Sequence, residues 1–280
     1  MLESVSIENY IKERFDSLKE VLSKEEETFT AADFHKLRVE TKKLNAISRL
    51  LAFSSKKFNR IKFIKKYKEL FGIAGSIRET QLELAFVEED HLNEQMVRYI
   101  ELQNRSIEKN RKLFFKKIHG IKKKISKDYS KLRQASRRVN RWVMFQYRAA
   151  IASQLSLLIY NAPHHSEGIH DLRKKLKEIL YTLHMYNTGD KHTKKIDAFQ
   201  DLIGKWHDKI VMAEKLSSKK WKRKLPETEN ETLASMKNKL CASGELMQER
   251  IIAEIKLFIN GKPLLPAHMF GKGTSPIIKD

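Results

Sequence analysis

The sequence has very little cysteine, proline or glycine: Cys241 is the only cysteine, and 280 residues contain five prolines and ten glycines. A single cysteine excludes a disulfide within the chain and a cysteine-based zinc cluster. There is no run of about 18 uncharged apolar residues, and no charged leader followed by an apolar run. These absences favour a reducing compartment, and we expect a cytoplasmic protein with no membrane partner.

The scarcity of helix-breaking residues predicts an almost wholly helical chain. The first proline is Pro163, and the other prolines fall in stretches that read as loops. No segment alternates apolar and polar residues for long, which argues against strands. The predicted helices cover about 4–23, 31–53, 57–88, 90–125, 128–160, 166–187, 191–216 and 230–259. Thr30 and Asp33 predict a capping box at the start of the second helix.

The charge is strongly unbalanced, with 56 Lys and Arg against 35 Asp and Glu, giving +21. A hydrophobic content of 41% is enough to bury a core, so disorder is not expected. An excess of positive charge of this size indicates a polyanionic partner.

One helix carries a stripe of cations between two apolar edges. At 100° per residue its members fall within an arc of about 80°, and they are His35, Arg38, Lys42, Asn45 and Arg49. A separate polar strip on the opposite side is predicted to face solvent, and it consists of Lys36, Glu40 and Lys43. An amphipathic helix needs only one polar face for water. The second face therefore predicts a binding surface.

The stripe recurs 135 positions later, where the matching residues are His170, Arg173, Lys177 and His184, joined by Lys174. The buried face of this helix is predicted to contain Leu172, Leu176, Ile179, Leu183 and Tyr186, and its solvent strip Asp171, Lys175 and Glu178. The repeat divides the helices into four and four. We place the two halves at 1–126 and 127–260, followed by a loose tail at 261–280.

The helix after each stripe also repeats, at an offset of 129. The first copy contains Lys65, Gly75, Arg78 and Glu79, and the second contains Lys194, Gly204, His207 and Asp208. Glycine inside a helix costs about 1 kcal/mol relative to alanine. The glycines therefore predict a close approach of two backbones, which would bring Arg78 and His207 near the stripes. Glu79 and Asp208 are interpreted as salt-bridge or packing partners.

These two repeats resemble the CHAD family, the conserved histidine α-helical domain. The second copy carries the clearer pattern, with His170-Asp-Leu-Arg173-Lys174 followed by Gly204-Lys-Trp-His207-Asp208. The resemblance covers roughly residues 1–260 and implies two pseudo-symmetric four-helix bundles with a basic central channel that binds inorganic polyphosphate. This sequence departs from the family pattern at Asn45, Glu79, Glu178 and Leu180.

The stripes and the resemblance together predict a polyphosphate-binding site. Its members are His35, Arg38, Lys42, Arg49, Lys65, Arg78, His170, Arg173, Lys174, Lys177, His184, Lys194 and His207. Rows of Lys and Arg replace the counterions of a phosphate chain, and arginine can bond one phosphate through two parallel N–H groups. An anion bound there would raise the pKa of His35 and His170.

Enzymatic alternatives find little support in the sequence. It has no P-loop, no dinucleotide-binding glycine motif and no Glu-x-Glu-x-Lys signature of tunnel triphosphatases, and the stripes hold no carboxylate group that would bind Mg²⁺. We therefore predict a non-enzymatic polyphosphate-binding protein without metal or cofactor, with polyphosphate granules as one setting. The open alternatives are a nucleic-acid-binding protein, other polyanions as partners, and a polyphosphate phosphotransferase.

Overall fold

The computed structural model describes residues 2–161, 166–185 and 191–260, and these residues are helical with short connections. The helices are α1 (Leu2–Ser23), α2 (Ala31–Ser54), α3 (Arg60–Glu89), α4 (Val97–Lys122), α5 (Ile125–Ser136), α6 (Arg141–Asn161), α7 (Ser166–His184), α8 (Lys191–Leu216), α9 (Lys219–Lys222) and α10 (Glu227–Ile259). A 3₁₀ turn at Asn93–Gln95 precedes α4. No strand occurs in these ranges, so the all-α prediction is confirmed.

The helix that carries the first stripe begins as predicted. The Thr30 hydroxyl accepts a hydrogen bond from the Asp33 backbone N–H, and the Asp33 carboxylate accepts one from the Thr30 N–H, which completes the capping box. Lys24 forms an ion pair with Asp33 at 2.7 Å. The apolar edge of α2 is buried, with Phe34 and Leu44 fully inaccessible. This burial fixes the rotation of α2 about its axis and therefore the direction of its cationic stripe.

The predicted helix at 128–160 is wrong, because two helices occupy this range. α5 ends at Ser136 and α6 begins at Arg141. The Asn140 side chain accepts a hydrogen bond from the Val143 N–H at 2.9 Å, which starts α6. Val139 is 1% exposed, so the intervening turn is anchored in the core.

The core is continuous across the two sequence halves. α2 packs against α3, α6 and α7, while α7 packs against α6 and α8, and α8 packs against α10. One buried cluster contains Phe34 and Leu44 of α2 together with Leu172 and Leu176 of α7. Burial of each such side chain contributes about 1.5–3 kcal/mol. The repeated helices are therefore direct neighbours, while the division at residue 126 stays a prediction.

A second buried cluster joins the end of α3 and the start of α4 to α8 and α10. It includes Val87 and Tyr99 from the first half and Ala213 and Leu233 from the second. Glu229 of α10 accepts the backbone N–H of Tyr99 at 2.8 Å and thereby caps the start of α4. Through this cluster α3 and α8 belong to one packed unit, in which α3 packs against α2 and α8 packs against α7.

The described helices include none that is long and apolar enough to cross a membrane.

Candidate functional site

The cationic stripes of α2 and α7 converge. Lys42 is largely buried, and burial, followed by the neighbouring charges of Lys177, Arg38 and Arg173, lowers its pKa to about 7. Burial lowers the pKa of Lys177 to about 8, and the charges of Arg173 and, more weakly, of Arg38 on α2 lower it further. Each lysine therefore senses cations of the other helix. We call Arg38, Lys42, Arg173 and Lys177 the cation cluster.

Arg38 is held by α3. Its Nη1 donates a hydrogen bond to the Phe71 carbonyl at 3.1 Å, and its guanidinium lies 4.2 Å from the centroid of the Phe71 ring. A Cβ atom built on Gly75 would lie only 2.0 Å from Arg38 Nη1. The prediction of a backbone–backbone approach at Gly75 is therefore wrong: the guanidinium of the stripe arginine occupies the space that the missing side chain leaves.

Arg173 is held by α8. Its Nη2 lies 3.5 Å from Asp208 Oδ1, while its buried Nε has no hydrogen-bond partner among the residues that the structure describes. A Cβ on Gly204 would lie 4.0 Å from that Nε, which is an ordinary contact. Burial lowers the pKa of Arg173, and the charge of Asp208 opposes this effect. An anion entering the cluster would therefore compete with Asp208 for this arginine.

The two histidines that begin the stripes lie beside further cations. Burial, then the charge of Arg78, lowers the pKa of His35. Burial, then the charges of Lys174 and His207, lowers the pKa of His170. The rings of His170 and His207 stack with centroids 4.8 Å apart. Both expected neighbours, Arg78 and His207, are thus near the stripes, and burial and the nearby cations favour the neutral form of His35 and His170.

Two carboxylates from the repeated motif act as ion-pair partners, as the sequence predicts. Burial opposes the ionisation of Asp208, but the adjacent His207 ring, whose Nδ1 lies 3.6 Å from Asp208 Oδ1, and the charge of Arg173 outweigh it and lower the pKa of Asp208. Glu79 forms an ion pair with Lys215 at 2.9 Å. The cluster therefore keeps an excess of positive charge even though carboxylates surround it.

Arg49, the last cation of the first stripe, is engaged elsewhere. It forms an ion pair with Glu178, which also accepts hydrogen bonds from Lys175 at 3.0 Å and from the Tyr147 hydroxyl at 3.1 Å. Because Glu178 is 8% exposed, this is a largely buried network between α2, α6 and α7. Arg49 stabilises the packing of these helices and is not presented to a ligand with the cation cluster.

The prediction that the second polar strips face solvent is partly wrong, because two of their carboxylates are buried in ion pairs. Glu40 is 4% exposed and forms ion pairs with Lys43 at 3.0 Å and Arg14 at 3.3 Å. Its counterpart Glu178 is buried as described above. Long cationic side chains cover these carboxylates, so strips that read as polar in sequence lie at helix–helix contacts.

The remaining predicted site residues lie at the margins. Lys174 is exposed and pairs with Asp171 at 3.0 Å, next to His170. His184 is exposed in the last turn of α7. Lys65 and Lys194 are exposed and precede their glycines by ten residues, which is about 15 Å along each helix. None of these contacts the cation cluster in the described part of the chain, although a long flexible ligand could reach them.

Phe71 is the functional residue that sequence reasoning missed. Its ring and carbonyl together fix Arg38, and Lys42 Nζ also lies 5.7 Å from its centroid. The signal available was its position one helical turn before Gly75, on the face that meets α2.

The arrangement suits binding of an anion by direct contact. In the ranges the structure describes, no group of three or more His, Cys, Asp or Glu side chains is placed to hold a metal ion. The cluster consists of guanidinium and ammonium groups, which bind phosphate through charge-assisted hydrogen bonds.

Comparison with known families agrees with the repeated motifs. The family model described as the CHAD domain matches residues 15–217, which is more than half of the 280-residue chain. The match spans all four helices of the site and leaves out α9 and α10. A search of curated proteins finds no match. The extent of the family match shows that this chain belongs to the CHAD family.

Proposed function

We propose that this protein binds inorganic polyphosphate, without processing it, along a path centred on the cation cluster. The observation that carries the proposal is the convergence of Arg38, Lys42, Arg173 and Lys177 from two repeated helices. Membership of the CHAD family, which is associated with polyphosphate, supports the same ligand.

The energetics favour a ligand with high charge density. Grouping partly buried cations costs free energy, and the lowered pKa values of Lys42 and Lys177 express that cost. A bound polyanion supplies the opposite charge, restores full protonation of both lysines and releases its own counterions. The free energy lost in assembling the cluster is thus recovered on binding.

The burial of the cluster favours a thin polymer over duplex nucleic acid. The Arg173 side chain is 17% exposed, so its charge lies in a recess between helices. A single phosphate chain can enter such a recess, whereas a duplex about 20 Å wide meets mainly protruding charges. Exposed cations at the margins, such as Lys174, extend the contact with a flexible chain and add affinity through high effective concentration.

Calorimetric titration with long-chain polyphosphate and, separately, with duplex DNA of equal total charge tests the ligand. At 0.15 M salt we expect polyphosphate to bind at least about tenfold more tightly. Equal or tighter binding of DNA would replace the proposal with a nucleic-acid-binding function.

A second arm tests the absence of processing. The protein is incubated with polyphosphate, Mg²⁺ and nucleoside diphosphates, and phosphate release and nucleoside triphosphate formation are measured. We expect neither above the level of a protein-free control. Either product would make the protein a phosphotransferase or hydrolase.

The proposal includes a cytoplasmic location, which imaging of the tagged chain beside polyphosphate granules would test.

A further inference from the structure

A second basic cleft lies at the other end of the α2–α3 hairpin. It has a volume of about 750 Å³ and is formed by the turn after α2, the first turns of α3, and α5. Ser55 in its wall follows Lys42 by 13 residues, and Lys62 precedes Gly75 by 13 residues, about 20 Å of helix in each case. Arg49, which pairs with Glu178, lies on α2 between Lys42 of the cluster and Ser55 of the cleft. The cleft is therefore a separate surface.

The lining of the cleft is overwhelmingly positive. Arg138 and six lysines contribute, namely Lys57, Lys62, Lys66, Lys124, Lys127 and Lys131. Among the lining residues that the structure describes, the only carboxylate is Asp128. Such a concentration of like charges around one concavity is unfavourable in the free protein and attracts anions of several charges.

Asp128 is already neutralised. It is 4% exposed, accepts a hydrogen bond from the Tyr67 hydroxyl at 2.8 Å and forms an ion pair with Lys66. Arg138 is anchored by donating to the Ser55 hydroxyl at 2.7 Å. The other five lysines form no ion pair with any residue that the structure describes. Their charges are available to a ligand.

The shape and the walls define the class of ligand. A volume near 750 Å³ is typical of a pocket for a compact small molecule. Phe58 and Phe63, with ring centroids 5.7 Å apart, give one side of the cleft an apolar surface. The start of α5 also lines the cleft, and its N-cap residue Lys124 supplies no side-chain hydrogen bond to the first N–H groups of the helix. The partial positive charge of that helix end adds to the lysines.

We propose that this cleft is a second ligand site, which binds a compact anion carrying three or more phosphates. Such an anion matches the lysines in charge and the cavity in size. Its source is either a short inorganic polyphosphate or the triphosphate of a nucleotide, whose base would pack against Phe58 and Phe63. The site is independent of the cation cluster and does not rest on its function.

Titration calorimetry with tripolyphosphate tests the site through matched variants. Lys127→Ala with Lys131→Ala removes two exposed cleft lysines of α5, and Lys109→Ala with Lys112→Ala removes two exposed lysines of α4 outside the cleft. We expect two binding sites in the unmodified protein and in the control. The cleft variant should lose one of them, with at least about tenfold weaker binding. Hydrogen exchange should show that tripolyphosphate protects residues 55–66 and 124–138 in the unmodified protein and in the control, but not in the cleft variant.

The outcomes separate the two sites. If the cleft variant binds tripolyphosphate like the control, the cleft proposal is overturned, whatever happens at the cation cluster. If Arg38→Ala with Arg173→Ala changes nothing while the cleft variant loses a site, the polyphosphate proposal fails and the cleft stands. Metal-free ATP serves as the second probe: tighter binding than tripolyphosphate at the cleft supports a nucleotide, and equal binding supports an inorganic chain.

Discussion

The two copies of the stripe hold equivalent arginines in different ways. Arg38 donates to a backbone carbonyl and lies on the ring of Phe71, whereas Arg173 pairs with the carboxylate of Asp208. The position that matches Phe71 at the repeat offset is Gln200, which offers no ring. The first arginine is thus held in place by neutral groups, although the charges of Glu79 and Asp208 also act on it. The second arginine must exchange Asp208 for the ligand.

This difference shows that a sequence repeat can keep charged residues at equivalent positions while the groups that contact those charges differ between the two copies. On the proposed function, we expect the first copy to contact the anion directly and the second copy to contact it in competition with Asp208.

The largest expected effect is that of pH, because one depressed lysine comes from each copy. Lys42 has a pKa of about 7 and Lys177 of about 8, and a bound anion raises both. Affinity should therefore rise as pH falls from 9 to 6.5, by at least about tenfold. Calorimetry across this range tests the two lysines singly. In Lys42→Gln, where only Lys177 is left to titrate, the rise in affinity should occur at higher pH than in Lys177→Gln, where only Lys42 is left.

The same lysines make the stability of the free protein depend on pH. Their pKa values are lower in the folded state than the usual 10.5 of an unfolded chain, so the unfolded state binds more protons between about 7 and 10.5. Stability should therefore increase as pH rises through that window, and polyphosphate should offset the trend. His35→Ala with His170→Ala should leave the window unchanged, since burial and nearby cations move those pKa values below the usual histidine range. A flat profile in the histidine variant would assign the effect to imidazole.

A pair of glycine substitutions should affect the two copies unequally. In Gly75→Ala the new Cβ would lie 2.0 Å from Arg38 Nη1, so the flexible guanidinium must leave its place. We expect about fivefold weaker polyphosphate binding, which corresponds to the loss of part of one charge-assisted contact. Gly204→Ala meets only ordinary contacts, the nearest being Gln200 Nε2 at 3.5 Å. It should keep the affinity and raise stability by up to about 1 kcal/mol. Equal losses in both variants would refute the asymmetry.

Much of this architecture could be predicted from the sequence, and the failures share a cause. Thr30 and Asp33 predict the start of α2, and the periodicity of Phe34, Leu37 and Leu44 predicts its buried edge, because local capping and hydrophobic pattern decide both features. The same pattern assigns Glu40 and Glu178 wrongly to solvent, because sequence does not show which neighbouring cation will cover a carboxylate.

The sequence predicts which stripe residues belong together, but it does not predict their contacts. The repeat by itself groups His35, Arg38 and Lys42 with their counterparts in the second half of the sequence. Arg49 instead pairs with Glu178, a residue 129 positions away in the sequence. Such a pairing is set by tertiary packing, as is the filling of the Gly75 gap by Arg38.

The smallest expected effect comes from the carboxylate in the second copy. Asp208→Asn removes the charge that competes with the ligand for Arg173. At pH 6, where Lys42 and Lys177 are protonated without its help, polyphosphate should bind about two- to threefold more tightly. Titration of this variant beside Asp171→Asn, an exposed carboxylate of α7 that pairs with Lys174, provides the control. Weaker binding by Asp208→Asn would make Asp208 an orienting group for the site.

Removal of one arginine from each copy is the most direct test of a defined site. Arg38→Ala with Arg173→Ala and the control Lys109→Ala with Lys112→Ala each lower the net charge by two, and circular dichroism verifies that both fold. Each arginine that bonds phosphate contributes about 1.5–3 kcal/mol, so the first variant should bind long-chain polyphosphate at least about tenfold more weakly. The control should lose a few-fold at most, since exposed charges act through a screened long-range field. If the alanine pair does not fold, Arg38→Gln with Arg173→Gln replaces it. Equal losses in the arginine and lysine variants would contradict the account and leave a basic helical protein without a defined polyphosphate site.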